Sequence, residues 1–74
     1  MTCDEFHVLY SYEPDEWGET VSKHKDVDSA VKVAKDMAIS EKSPHIRIVG
    51  YSYDEGRWYS VKPSGDGYRI DPLT

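Results

Sequence analysis

Residues 26–38 read DVDSAVKVAKDMA, and this stretch sets the class of fold because its apolar and charged residues separate at helical spacing. The apolar positions are Val27, Ala30, Val31, Ala34, Met37 and Ala38. The charged positions on the opposite side are Asp28, Lys32, Lys35 and Asp36. The pattern predicts an amphipathic helix over residues 27–42, with Val31, Ala34, Met37 and Ala38 as its buried face.

The residues that flank this stretch mark the two ends of the helix. Asp26 stands where its carboxylate can accept the free amide hydrogens of the first turn, and Asp28 favours the positive end of the helix dipole. Pro44 disfavours helical geometry in the preceding Ser43 and therefore ends the helix.

Strand patterns lie on both sides of the helix. Apolar and polar residues alternate over residues 5–13, Pro14-Asp15 starts a turn, and a weaker alternation follows over residues 17–24, so we predict a hairpin with an acidic tip. After the helix, IRIVGYSY (46–53) and RWYSVK (57–62) predict two further strands joined by a turn at Asp54-Glu55-Gly56.

The resulting order is β-β-α-β-β in one small α+β domain, a four-stranded antiparallel sheet with the helix on one face. We expect an ordered core over residues 5–62. Residues 63–74 are expected to form a turn followed by a short fifth edge strand or a tail.

A single helix covers only one face of such a sheet, yet aromatic residues occur at both phases of the strands. Some aromatic side chains should therefore lie on the uncovered face. They either fill half-exposed strand positions, which suit tyrosine, or form a binding or dimerisation surface. On the second interpretation the candidate anchors are Tyr12, Trp17, Tyr51 and Tyr53.

The net charge of −5 is unevenly distributed along the chain. Residues 1–22 hold six carboxylates and no lysine or arginine, whereas residues 23–74 hold nine basic and eight acidic residues. This balance disfavours direct nucleic-acid binding and favours a basic protein partner. The candidate contacts are Glu13, Asp15, Glu16 and Glu19; the alternative is a solvated loop.

Catalytic and ligand-binding motifs are not evident in the sequence. The three histidines form no metal-binding pattern, the glycines form no phosphate-binding loop, and Cys3 with His7 lacks an orienting third group. We therefore predict a protein that is not an enzyme and has no catalytic, cofactor-binding or metal-binding residues. No apolar run approaches the ~20 residues that cross a bilayer. The single cysteine and the lack of a signal-peptide pattern favour the cytoplasm.

The acidic hairpin, the DVDSAVKVAKDMA helix and the later IRIV and EGRWYSV segments together form a pattern over residues 5–62. In this pattern the chain resembles the small phage-encoded anti-CRISPR proteins that inhibit type I surveillance complexes. The chain is equally similar to uncharacterised small bacterial domains with a strand-helix-strand plan. The first resemblance implies a non-enzymatic inhibitor that binds a nuclease or its RNA-guided complex, often at a lysine-rich surface, within the host cytoplasm. It assigns no functional residue.

Two functions are therefore expected. The first is a protein-binding inhibitor that blocks a basic nucleic-acid-binding surface of a host defence complex, without contacting nucleic acid or membrane itself. The alternative is a bacterial housekeeping domain that forms a homodimer through its open sheet face.

Overall fold

One helix packs on a five-stranded antiparallel sheet in the computed structural model, which describes residues 3–13, 16–40, 45–64 and 67–73. For residues 38–40, 63 and 64 the description covers the backbone alone. The elements in chain order are β1 (Glu5–Tyr10), β2 (Glu19–His24), α1 (Val27–Ser40), β3 (Ile46–Ser52), β4 (Arg57–Ser64) and β5 (Gly67–Pro72).

The strands lie in the order β2-β1-β3-β4-β5, so β3 is the central strand, with β1 and β4 on either side of it. The predicted α+β class, antiparallel sheet and single helix are confirmed. The predicted count of four strands is too low, because β5 pairs with β4 through contacts such as Ile70 opposite Val61. The order along the chain is thus β-β-α-β-β-β, and β5 is the edge strand that the sequence left as one of two alternatives.

The start of α1 is fixed by the predicted cap. The Ser29 backbone amide donates to Asp26 Oδ1 over 2.8 Å, and the Ser29 hydroxyl donates to Oδ2 over 3.0 Å. These hydrogen bonds stabilise the carboxylate and lower the pKa of Asp26. Asp28, in the first turn, accepts a hydrogen bond from the hydroxyl of Tyr68 on β5, which ties the helix to the far edge of the sheet.

The hydrophobic core lies between α1 and one face of the sheet. Its buried members are Phe6, Val8, Ala30, Ile48 and Val61. Ala30 is fully buried, whereas the predicted inner residues Val31, Ala34 and Met37 are only partly buried, and the side chain of Ala38 lies outside the described residues. The alanine permits close approach of the helix, which lies over β1, β2 and β3.

Strand alternation directs Leu9 and Val49 away from the helix, so they do not join this core. Both are nevertheless only 1% exposed. Side chains from outside α1 must therefore shield the opposite face of the sheet from water.

The segment before β2, which carries Trp17, differs from the predicted hairpin. Trp17 was expected within the second strand, but β2 starts at Glu19 because Gly18 adopts a positive φ of 84°. A Cβ at Gly18 would collide with the carbonyl oxygen of Tyr10, so only glycine lets the chain fold this tightly against β1. Residues 16–18 consequently leave the strand direction.

Strand β3 ends at Ser52, one residue before the predicted end at Tyr53. The Gly56 amide donates to the Ser52 carbonyl over 2.8 Å, and Gly56 has the positive φ of 64° that the predicted turn requires. Tyr53 therefore belongs to the turn rather than to the strand.

Candidate functional site

Four aromatic residues form a continuous row of rings on the face of the sheet opposite the helix. The ring centres of Trp17 and Trp58 are 5.3 Å apart, those of Trp58 and Tyr51 are 4.7 Å apart, and those of Tyr51 and Tyr53 are 5.8 Å apart. We call this row the aromatic face. It joins the loop between β1 and β2, the strands β3 and β4, and the turn between β3 and β4.

The register of the sheet explains how these rings meet. Tyr51 and Trp58 lie directly opposite each other across the β3–β4 pair, so their side chains share one face. Tyr51 and Tyr53 are two residues apart and also point to this side. Trp17 comes from outside the sheet and completes the row at its other end.

Arg47 holds Trp17 in place. Its guanidinium carbon lies 5.3 Å from the centre of the Trp17 ring, and its Nη2 donates a 2.6 Å hydrogen bond to the carbonyl oxygen of Glu16. A cation over an indole face is attracted by the ring quadrupole. One arginine thus fixes both the ring and the backbone of the 16–17 segment.

Beneath the rings lies a partly polar layer. His7 is buried and its ring lies edge-on to Trp58, with the ring centres 5.0 Å apart. Leu9 and Val49 lie on the same side of β1 and β3. We infer that Trp17, Trp58 and Tyr51 exclude water from these residues, which accounts for their burial.

A hydrogen-bonded chain runs along the Tyr53 end of the aromatic face. The Tyr53 hydroxyl donates to Glu5 Oε2 over 2.8 Å, Glu5 Oε1 lies 3.0 Å from His7 Nε2, and His7 Nδ1 lies 3.3 Å from the Thr20 hydroxyl. The hydrogen bonds from His7 and Tyr53 lower the pKa of Glu5, and the bond to Glu5 raises the pKa of Tyr53. The chain fixes the ring of Tyr53 while leaving it 62% exposed.

The structure divides the predicted site residues into two groups. Trp17, Tyr51 and Tyr53 meet in the aromatic face. Tyr12, Glu16 and Glu19 instead line a pocket of about 270 Å³ beside the hairpin tip, together with Tyr10, Ser11 and Gly18. We call this the tip pocket.

Two predicted acidic contacts stand outside both groups. Glu13 is exposed, and its carbonyl accepts hydrogen bonds from the Ser11 hydroxyl and the Glu16 amide, which shape the tip. Asp15 lies outside the described residues.

Sequence reasoning missed Trp58, Arg47, His7 and Glu5 as members of the site. Trp58 could have been found from the register, since a turn closed by Ser52 and Gly56 places it opposite Tyr51. The sequence gives only weak evidence for the role of Arg47, because the evidence is a single charged residue inside the apolar run IRIV.

The possibility of a Cys3–His7 pair is excluded by the fold. Cys3 is half-buried and packs against the core on the helix side, whereas His7 lies under Trp58 on the opposite face. Burial also raises the pKa of the Cys3 thiol, which favours its unreactive protonated form.

Among the described residues, no three histidine, cysteine, aspartate or glutamate side chains gather into a set that could hold a metal ion. Within the same ranges, no helix has the length and apolar character needed to span a membrane.

A second concavity lies on the helix side of the sheet. This apolar groove of about 440 Å³ arises where α1 leaves β4 uncovered, and Val31, Ala34, Ile46, Ile48 and Val61 supply its apolar walls. Lys35, Arg47 and Lys62 also line it.

Comparison with known proteins gives no relative from which a role could be transferred. No protein-family model, no curated protein and no solved structure matches this chain.

Proposed function

We propose that the protein is a non-enzymatic binding module that docks on a basic surface of a partner protein through the aromatic face and the acidic hairpin tip. The observation that carries this proposal is the row of four rings from Trp17 to Tyr53, whose outer members are 43% and 62% exposed. Tyrosine and tryptophan supply large contact areas with few rotatable bonds, and they dominate protein interfaces.

Charge supports the choice of a basic partner. Glu16 directly precedes Trp17 in the chain, and Glu13 and Glu19 lie within four residues of it. All three are exposed, and within the described ranges none of them has a lysine or arginine at salt-bridge distance. Uncompensated carboxylates at the hairpin tip would steer a basic surface toward this end of the protein and speed association at low salt.

The biological setting that fits these features is inhibition by occlusion. A small acidic protein that occupies a basic nucleic-acid-binding surface prevents the nucleic acid from binding there, as the resemblance to anti-CRISPR proteins implies. We therefore propose a phage-type inhibitor of a host defence complex in the cytoplasm, acting without catalysis, cofactor or direct contact with nucleic acid.

The test is affinity capture from the encoding host with three immobilised proteins. They are the wild type, a variant with Asp15, Glu16 and Glu19 changed to lysine, and an Asp36→Lys control on the exposed side of the helix. We expect a basic nucleic-acid-binding protein to be retained by the wild type and the control, released by salt or by its own nucleic acid, and lost by the triple variant. Equal retention by all three proteins at every salt concentration would overturn the proposal.

The aromatic face also favours a second candidate, a homodimer in which two copies bury their rings against each other. Sedimentation velocity distinguishes the candidates. A dimer that dissociates when Tyr53 is changed to glutamate would assign the face to self-association, whereas a monomer throughout the micromolar range leaves the face free for a foreign partner.

A further inference from the structure

The tip pocket combines aromatic and acidic groups at the end of β1. Tyr10 and Tyr12 meet at right angles, with their ring centres 5.4 Å apart and an angle of 90° between the ring planes. Tyr12 is 82% exposed, so its ring is accessible to another molecule. The two rings form an edge-to-face pair, and this pair is the aromatic wall of the pocket.

The carboxylates reach this wall through the register of the hairpin. Glu19 lies directly opposite Tyr10 across the β1–β2 pair, which places the two side chains on the same face. Glu16 is brought to the pocket by the tight bend at Gly18. No lysine or arginine of the described residues lines the pocket or pairs with these two carboxylates.

Aromatic rings beside carboxylates suit a cation, and arginine uses both kinds of group. Its planar guanidinium can stack on a ring while its N–H groups donate to a carboxylate. The adjacent segment already binds one guanidinium between a ring and a neutral acceptor, since Arg47 lies over the Trp17 ring and donates to the backbone carbonyl of Glu16. The tip pocket offers rings with carboxylate acceptors, and no arginine of the described residues lines it.

We propose that the tip pocket binds a single arginine side chain of the partner protein, stacked on Tyr12 and paired with Glu19 or Glu16. This deepens the proposed function, on which it rests, by naming the residue type that the basic partner contributes. The tip pocket would then fix the register of the complex through one side chain.

The pocket can be tested without the partner. The probe is the peptide acetyl-Gly-Arg-Gly-amide, titrated into the isotope-labelled full chain and followed by NMR. The matched control is the same peptide with citrulline, which replaces the guanidinium by an uncharged group of nearly equal shape. We expect the arginine peptide to shift the signals of Tyr10, Tyr12, Glu16 and Glu19, and the citrulline peptide to leave them unchanged.

Substitutions then locate the contact. Tyr12→Leu removes an exposed ring and should weaken binding of the arginine peptide roughly two- to fivefold, the range for one exposed cation–π contact. Tyr12→Phe retains the ring and should bind like the wild type, as should Tyr53→Leu at the other end of the aromatic face. Equal binding of the two peptides, or shifts confined to residues outside the pocket, would overturn the assignment.

The two proposals can fail separately. If the arginine peptide does not bind the pocket while the triple lysine variant still loses the partner, the proposed function stands and the arginine pocket is wrong. If the peptide binds the pocket while partner capture is unaffected by the acidic tip, the pocket stands and the proposed docking surface is wrong.

Discussion

The guanidinium of Arg47 on β3 lies over the ring of Trp17, with 5.3 Å between the guanidinium carbon and the ring centre. Trp17 comes from a loop 30 residues earlier in the chain. This contact closes the Trp17 end of the aromatic face. It also explains why residues 16–18 lie against the sheet instead of extending the hairpin.

Replacing Arg47 with glutamine should release Trp17 from the aromatic face. The loss of the cation–π contact and of the hydrogen bond to Glu16 should lower the free energy of unfolding by about 1 kcal/mol. Urea denaturation measures the loss, and the NMR signal of the Trp17 indole N–H reports its changed surroundings. Lys32→Gln removes the same charge from the exposed side of α1 and should change neither. An Arg47→Gln protein with the wild-type midpoint and indole signal would contradict the assigned contact.

The helix face can be tested at two alanines. Ala30→Leu inserts three carbon atoms into the fully buried cluster around Val8 and Ile48, and should destabilise the protein by about 1–3 kcal/mol through overpacking. Ala34→Leu extends into the apolar groove and should cost clearly less. Thermal and urea unfolding of both variants measure the difference. A larger loss at Ala34 than at Ala30 would show that the helix is rotated from the described orientation.

The tyrosine titrations test the hydrogen bonds at the turn. The Tyr53 and Tyr59 hydroxyls donate to Glu5 and Glu55 respectively, and these bonds raise the pKa of each phenol above its usual value. We expect Glu5→Gln to lower the pKa of Tyr53 only, and Glu55→Gln to lower that of Tyr59 only. NMR titration of the phenol carbons resolves the two residues. A Tyr53 pKa that is the same in the wild type and in Glu5→Gln would rule out this hydrogen bond in solution.

The same raised pKa values imply a loss of stability in alkali. Between the unfolded pKa of about 10 and the higher folded value, the folded chain retains a phenol proton that the unfolded chain has released. The contribution of each hydrogen bond is therefore complete below pH 10 and is lost as the pH rises through the folded pKa. Glu5→Gln should show a weaker alkaline decline in stability than the wild type.

Asp26 should contribute to stability with the opposite pH dependence. Its pKa is lowered in the folded protein by hydrogen bonds from Ser29, so the unfolded chain binds its proton more readily. The contribution is present above the unfolded pKa of about 3.9 and is lost as the pH falls through the lower folded value. Asn retains a capping group but does not titrate, so Asp26→Asn should approach wild-type stability in acid and fall below it at neutral pH.

The control is Asp36→Asn, which changes a carboxylate later in α1 that receives no hydrogen bond in the structure's described ranges. Urea denaturation at neutral and acidic pH compares the three proteins. A difference between wild type and Asp26→Asn that is the same at both pH values would contradict a titrating cap.

The parts of the fold that follow a local period could be predicted from the sequence. The helix from Val27, its Asp26 cap and the turn at Gly56 all depend on neighbouring residues, and all three were found. The fifth strand cannot be distinguished from a tail in the sequence, because residues 67–72 carry little alternation of their own and form a strand by pairing with β4.

The site was less predictable because its contacts join distant segments. The sequence indicates that the aromatic residues are too many for one core, but it does not indicate which residues each of them contacts. The contact between Trp17 and Arg47 depends on the bend at Gly18, and the position of Ala30 rather than Ala34 at the centre of the helix interface depends on where the helix crosses the sheet. Neither is encoded in a short window of sequence.

The double role of the rings over Leu9 and Val49 has a consequence for how such a protein can evolve. On the inference made above, Trp17, Tyr51 and Trp58 shield Leu9 and Val49 from water, and they also belong to the surface proposed to meet a partner. A substitution there that suits a new partner would also alter folding, so recognition and stability change together. Adaptation would be least constrained at Tyr12 and Tyr53, whose exposed side chains can be exchanged without uncovering the sheet.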